Sequence, residues 1–318
     1  MSPLDAAWAA VLAAPDDDQA LHVLADALME QGDPHGELIR LQLAGDETAA
    51  LRHFATHAAE LLGDERHLTR WKPLIARGFL SSVKVTAIDE LEAIFERPMA
   101  KLLRGVKIEG DEDHEPINPI VELLARQSPP ALATLGFGVN GDFEHEGEIE
   151  VGLLTTGMKL LQDLRIMSWP ANLGGAHSSS LLHLRLNLYN PIRGLNEARF
   201  PALQSLGLIL PYRTMELPPA LLARTVSPKL EALTLQGALW PEQLHELAES
   251  ALLKGLKRLE ISAEAETAWY AGLLETIESF AHLERLDVIA DRHHPEWVTA
   301  VKTALPQASI LEARVRHW

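Results

Sequence analysis

Cysteine is absent from this chain of 318 residues. That excludes a disulfide framework, a thiolate metal site and a cysteine nucleophile. Aromatic residues make up only 5% of the chain, so aliphatic side chains must fill the interior, and a hydrophobic content of 47% supplies them. No stretch of 18 uncharged apolar residues occurs, which excludes a transmembrane helix at the level of sequence. Met1 to Ala14 carries Asp5 and no basic residue, which argues against a secretory leader. Basic residues are scarce. Lys and Arg number 28 against 45 Asp and Glu, a formal net charge of −17. Nucleic-acid phosphate is therefore repelled on average, and no nucleic-acid or membrane partner is expected. The expected location is the cytoplasm.

What the chain does contain is a repeat. An apolar triplet in the spacing L-x-x-L-x-L begins as Leu80-Val83-Val85 and Leu103-Val106-Ile108, followed by Leu132-Leu135-Phe137 and Leu161-Leu164-Ile166. It continues through Leu181-Leu184-Leu186, Leu203-Leu206-Leu208, Leu230-Leu233-Leu235, Leu256-Leu259-Ile261 and Leu283-Leu286-Val288, with Ile310-Ala313-Val315 as a degenerate last copy. Successive copies start 20 to 29 residues apart. One unit cannot bury its own apolar face, but a stack of units buries a continuous core, so this period predicts a solenoid. Each triplet predicts a short strand, and the strands lie parallel on the concave face. The longer units have room for an outer helix, at Ile117 to Gln127, Pro241 to Leu253, Thr267 to Phe280 and Pro295 to Leu305. The short units, around Ala171 to Ser180 and Pro191 to Pro201, are rich in Gly, Ser, Asn and Pro and predict loops or 3₁₀ turns.

Residues 1–76 read differently. Pro3 and Asp5 open a helix bearing Trp8, Val11 and Leu12, and Pro15 ends it. Asp16, Asp17 and Asp18 stand at the start of a second helix, where carboxylates suit the positive end of the helix dipole. Leu21, Leu24, Ala25 and Leu28 share one face of it, and it stops near Gly32. Asp33 caps a third helix with Pro34 at its first position, and a fourth runs from Glu47 to Leu62. The expected fold is thus α/β: a solenoid over residues 77–318, about ten parallel strands with helices and loops on the convex face, behind a small all-α cap over residues 1–76.

The stretch Leu24-Ala-Asp-Ala-Leu-Met-Glu-Gln-Gly-Asp-Pro-His-Gly-Glu-Leu-Ile-Arg-Leu-Gln42 resembles a short bacterial repeat-companion domain. That domain has the pattern L-A-D-x-L-x-E-x-G-D-P-x-G-E-F-I-x-L-Q and precedes leucine-rich repeats. The likeness continues in Trp71, Pro73 and Leu74, and in Arg77-Gly78-Phe79-Leu80. It departs at Leu38, where Phe is common. The resemblance covers about residues 1–86 and extends to the repeats that follow. It implies a leucine-rich-repeat protein, assigns no reaction and makes the motif residues architectural.

Catalytic signatures are missing: no G-x-x-x-x-G-K-[ST] loop, no G-x-S-x-G elbow and no G-x-G-x-x-G after a strand. No enzyme activity and no cofactor are expected. The outward residue between the two inward ones of each strand is more informative. That column reads Lys84, Lys107, Gly136, Arg165, Arg185, Gly207, Thr234, Glu260, Asp287 and Arg314. Four of its first five members are basic in a strongly acidic chain. Met167, Asn187 and Gln236 flank them, Trp169 and Tyr189 follow two consecutive strands, and Arg258 and Arg285 stand in the neighbouring column. Gly136, Gly138 and Gly207 leave flat spots where a side chain of a partner could sit. Aromatics beside arginines are the makings of an interface hot spot. The expected function is a non-catalytic protein–protein interaction module. Lys84, Lys107, Arg165, Arg185, Trp169, Tyr189, Met167 and Asn187 would meet another protein, whose contact segment is acidic. Two alternatives stay open. One is an immunity or inhibitor protein that neutralises a basic toxin or enzyme with the acidic stretches Glu109 to Glu115 and Asp142 to Glu150. The other is a metal-dependent enzyme near His53, His57, Glu60 and His67, whose spacing on a helix can present ligands to zinc. His293-His294 reads as a loop pair.

Overall fold

The computed structural model describes residues 2–64, 66–109, 116–138, 147–167, 169–187, 192–210, 217–237, 239–263, 267–290 and 295–312. The chain divides into two compact units, Met1–Glu146 and Gly147–Trp318.

The first unit opens with helices Pro3–Ala13, Asp18–Met29, Pro34–Leu43, Glu47–Thr56 and Ala58–Leu62. Their starts follow the sequence signals. Ser2 and Asp5 form a reciprocal capping box. Asp17 accepts from Gln19 N, Asp33 from His35 N, and Pro34 occupies the first turn. Gly32 adopts φ 74°, the left-handed conformation a non-glycine residue resists. Gly36 allows the second and third helices to touch: a Cβ there would stand 2.5 Å from the Ala25 carbonyl oxygen. The expected fourth helix is broken at His57, which ends one segment and begins the next.

Strand β1 (Leu74–Ala76) then pairs antiparallel with β2 (Phe79–Val85). Arg77 and Gly78, at φ 57° and 84°, form the two-residue connection, which is the primed-turn geometry that matches strand twist. β1 carries no inward triplet and escapes the repeat pattern, whereas β2 carries the first one, Leu80-Val83-Val85. Strands β3 (Gly105–Ile108) and β4 (Thr134–Phe137) add in parallel. Val83, Val106 and Leu135 align, as do Val85, Ile108 and Phe137. Trp8, Val11, Leu21, Leu24, Leu28 and Ile39 of the helices share one apolar core with Phe79 and Leu102.

In the second unit β6 (Asp163–Ile166), β8 (His183–Asn187), β10 (Ser205–Ile209), β11 (Ala232–Gln236), β12 (Arg258–Ala263), β13 (Arg285–Ala290) and β14 (Ala308–Glu312) lie parallel in that order. Leu164, Leu184, Leu206, Leu233, Leu259 and Leu286 align across them without a register shift. Every residue of the first nine triplets is at most 3% exposed. Parallel strands in constant register, with an aliphatic face buried and connecting segments behind, make this an α/β leucine-rich-repeat solenoid fold.

Two expectations are corrected. Val288 aligns with Ile310 and Leu286 with Ala308, so the last copy is Leu305-Ala308-Ile310 and not Ile310-Ala313-Val315. Leu305 is 2% exposed, as an inward first position requires. Ala308 is too small to stand out in the sequence as the middle member. Ser309, not Arg314, therefore follows Asp287 in the outward column, and Arg314 lies outside the described residues. The short units are also not simply loops. β5 (Ile149–Glu150), β7 (Ala171–Asn172) and β9 (Ile192–Arg193) form a second, three-stranded parallel sheet. β7 and β9 belong to the short units, which lack the length for a helix, and satisfy their backbone by pairing with their neighbours, while β5 leads into the helix Val151–Gly157 of a longer unit. The expected outer helices are present at Ile117–Gln127 and Pro295–Ala304. Those at Pro241–Glu249 and Thr267–Glu275 end early and continue as Ala251–Lys254 and as a 3₁₀ turn at Ile277–Phe280.

Candidate functional site: the outward face of the repeat strands

Alternation along each strand sends every second side chain away from the buried face. In the first unit this puts Lys84 beside Lys107, which are register partners on β2 and β3. Glu109 follows directly after β3, its N–H donating 2.8 Å to the Val85 carbonyl. The Glu109 carboxylate pairs with both ammonium groups, 2.7 Å from Lys107 Nζ and in close contact with Lys84. It is only 7% exposed. Burial pushes this carboxyl up, but the hydrogen bonds and charges of Lys107 and Lys84 outweigh burial and hold it below the ordinary carboxylate range. Gly136, aligned with Lys107, has the Lys107 stem 3.8 Å from where its Cβ would be.

In the second unit Arg165 binds Asp163, two residues back on the same face, through two hydrogen bonds of 3.1 and 2.8 Å. This fork arrangement raises the guanidinium's pKa. Arg185, aligned with Gly207, extends across it to donate 2.9 Å to Gln236 Oε1 on β11. A Cβ on Gly207 would stand 3.1 Å from Arg185 Cγ, so the glycine lets the side chain lie flat. The Gly207 spot expected to receive a partner is thus filled from within. Burial lowers the Arg185 pKa, the Arg165 charge adds to this, and Glu260 opposes it. Asn187 Nδ2 donates 2.6 Å to the Met167 carbonyl, locking the turn after β6, and both side chains are half-buried. Farther along, Arg285 Nε donates 2.6 Å to Asp287 Oδ2.

Trp169 is 2% exposed and does not present its ring at the surface, contrary to expectation. An aromatic residue following a strand can as well fill the interior as decorate the face. Tyr189 lies outside the described residues, as do His293 and His294. Of the acidic stretches, residues 110–115 and 142–146 also lie outside them. Of the rest, Glu109 is paired as above, and Glu150 accepts from Asn172 Nδ2 at 3.3 Å. His53, His57 and His67 each have a partner of their own. His53 Nε2 donates 2.9 Å to the Pro34 carbonyl, His57 lies 3.0 Å from Glu60, and His67 Nδ1 lies 3.0 Å from the Leu62 carbonyl while its ring stacks on Trp71. Among the described residues, no group of three or more His, Cys, Asp or Glu is placed to hold a metal ion. Among them too, no helix is long and apolar enough to cross a membrane.

Sequence reasoning did not single out His35 and Glu90, both buried. Glu90 accepts from Thr86 N at 2.6 Å and from Ala87 N at 3.3 Å, and pairs with Arg70. The signal was present in T-x-x-x-E before an apolar run. It also did not pair Arg77 and Arg104 with Asp16, at 3.3 and 2.7 Å.

The strand register and the buried inward triplets define a leucine-rich-repeat fold. No family model and no curated protein matches the sequence. Among solved structures the chain is similar to the leucine-rich repeat-containing protein LegL7 from Legionella pneumophila, at 12% sequence identity and a TM-score of 0.45, over 74% of this chain and 84% of that one.

Proposed function

We propose that the chain is a non-catalytic protein–protein interaction module whose outward strand faces engage another protein through an acidic segment. Lys84 and Lys107 are the candidate contacts on the first unit, and Arg165, Arg185, Met167 and Asn187 those on the second. One observation carries the reading. In a chain of net charge −17, the outward cations Lys107 and Arg165 stand on carboxylates far less exposed than themselves. The side chain of Lys107 is 58% exposed over a Glu109 side chain at 9%, and that of Arg165 is 57% exposed over an Asp163 side chain at 18%. A sheltered carboxylate of this kind orients the cation and leaves its remaining donors facing out. Exposed ion pairs add little to stability, so fixing their geometry serves recognition better than folding. We further read the helices of residues 1–76 as the repeat-companion cap, because they share a core with Phe79 at the first parallel strand.

The test is affinity purification with quantitative mass spectrometry, comparing the wild-type chain with an Arg165→Glu/Lys107→Glu variant whose thermal unfolding is unchanged. A protein enriched by the wild type and lost from the variant is the expected result. An identical set of captured proteins would remove these faces from the reading.

A further inference from the structure

On the second unit, Arg165 and Arg185 do not stand alone. Arg258 and Arg285 are register partners on β12 and β13, and both are exposed. Arg285, at 62% exposure, stands over Asp287 at 10%, repeating the arrangement of Arg165 over Asp163. In both cases the two residues are separated by one position on the same strand, so both side chains leave the same face. Arg185 fills the interval, because its side chain crosses β10 and reaches Gln236 on β11. The four arginines thus form a row two columns wide from β6 to β13: Arg165 and Arg185 stand in the column of Gly207 and Thr234, and Arg258 and Arg285 in the neighbouring column of Ser205 and Ala232. Five strand spacings of about 4.8 Å give this row a length of about 24 Å. Three carboxylates, Asp163, Glu260 and Asp287, accompany the four arginines. Asp163 and Asp287 are hydrogen-bonded beneath their arginines, and Glu260 is half-buried.

Resting on the reading of the outward face as a binding surface, the geometry points to a longer site: Arg258 and Arg285 are its second anchor, and its occupant is an extended acidic peptide segment running across the strands. About 24 Å corresponds to about seven residues of extended chain, so the occupant carries anionic clusters about seven residues apart. Between the anchors the surface offers Ser205, Gly207, Ala232 and Thr234, which are uncharged and half-buried. A nucleic acid fits less well. Its continuous phosphate charge opposes the net charge of −17, and among the described outward residues of these strands none is Phe, Tyr or Trp to stack on a base.

The experiment is fluorescence anisotropy with the full chain at low salt. The probe is a labelled peptide with two Glu-Glu pairs whose centres lie seven residues apart, joined by Ser and Gly. Controls are a peptide of the same composition with its glutamates contiguous, and a single-stranded oligonucleotide. The spaced peptide is expected to bind most tightly, and Arg258→Glu/Arg285→Glu to weaken it about tenfold, the scale of losing two charged contacts. Arg258→Gln, a change at an exposed side chain that leaves the Arg285–Asp287 pair intact, is expected to weaken it about threefold. If Arg165→Glu weakens binding and both Arg258 variants leave it unchanged, the second anchor is wrong and the proposed function stands. If none of the variants changes binding, both fall. Tighter binding of the contiguous peptide or of the oligonucleotide would overturn the extended acidic peptide as occupant.

Discussion

Acidification should loosen the helical part of the first unit through one buried imidazole, that of His35. The ring is 2% exposed, 4.9 Å from Phe79 and 6.0 Å from Trp8 between ring centroids. Its Nε2–H donates 2.9 Å to the Gly78 carbonyl, and its buried Nδ1 meets no acceptor. A second proton would go to Nδ1 and find no partner there. Burial accordingly lowers the pKa from 6.5 to about 4, with the Asp33 charge and the Gly78 hydrogen bond opposing and Lys101 assisting. The sign follows from proton uptake. Between pH 6.5 and about 4 the unfolded chain holds this proton and the folded one does not, so stability falls as pH falls. Above pH 6.5 the penalty is absent. At about 1.36 kcal/mol per pH unit, roughly 2 kcal/mol is lost between pH 7 and pH 5, and about 3 kcal/mol in all. Glu37, Asp64 and Glu109 are held below their ordinary values of 4.5, 3.8 and 4.5, so their contribution is lost mainly as the pH falls through those values, and the comparison of pH 7 with pH 5 reports chiefly on His35. Native-state hydrogen exchange of residues 18–43 at pH 7 and pH 5, corrected for the intrinsic rates, measures the loss locally. His35→Leu cannot titrate, and its opening free energy should vary far less across the same range despite a lower starting stability. An equal pH dependence in wild type and variant would refute the reasoning.

Gly36→Ala places a Cβ 2.5 Å from a backbone oxygen, and overpacking of this kind costs about 1–3 kcal/mol; urea unfolding followed by circular dichroism checks it. Leu305→Ala should cost about 2–5 kcal/mol if Leu305 opens the last inward triplet, and a loss below about 1 kcal/mol in the same assay would return the register to the sequence-based assignment. Gly207→Val should displace Arg185 from Gln236 and weaken partner binding severalfold, with unfolding shifted by less than about 1.5 kcal/mol, since the clash is with a flexible side chain. Asp163→Asn removes the charge beneath Arg165; affinity for the acidic probe peptide should fall severalfold while the salt dependence of binding is retained.

Nine of the ten inward triplets were legible because leucine-like residues at positions one, four and six are a pattern that only a stacked strand face explains. The tenth was misplaced because Ala308 holds the middle position, and a small residue carries no periodic signal; pairing with Leu286 restores the register. The helix Ile117–Gln127 was readable at both ends. The break at Ser250 was not. There the side chain accepts from Leu253 N and donates to Leu247 O, a local competition with helical bonding that composition does not reveal. The outward column was legible as a list of residues and not as a surface. Alternation placed Arg165 and Arg185 on the outer face. Where each guanidinium goes depends on what lies beside it: Asp163 in one case, the gap over Gly207 in the other. Trp169 shows the same limit, since a position after a strand does not decide between surface and interior.

The central claim is that a partner covers the arginines of the outward face. Arginine footprinting with phenylglyoxal and mass spectrometry, on the free chain and on the complex with a captured partner, tests it most directly. In the free chain Arg165, Arg258 and Arg285 should react readily, as should Arg126 and Arg193 elsewhere on the surface, since all five are exposed. In the complex the first three should lose reactivity and the last two keep it. Protection of Arg126 or Arg193 with Arg165, Arg258 and Arg285 still reactive would contradict the account.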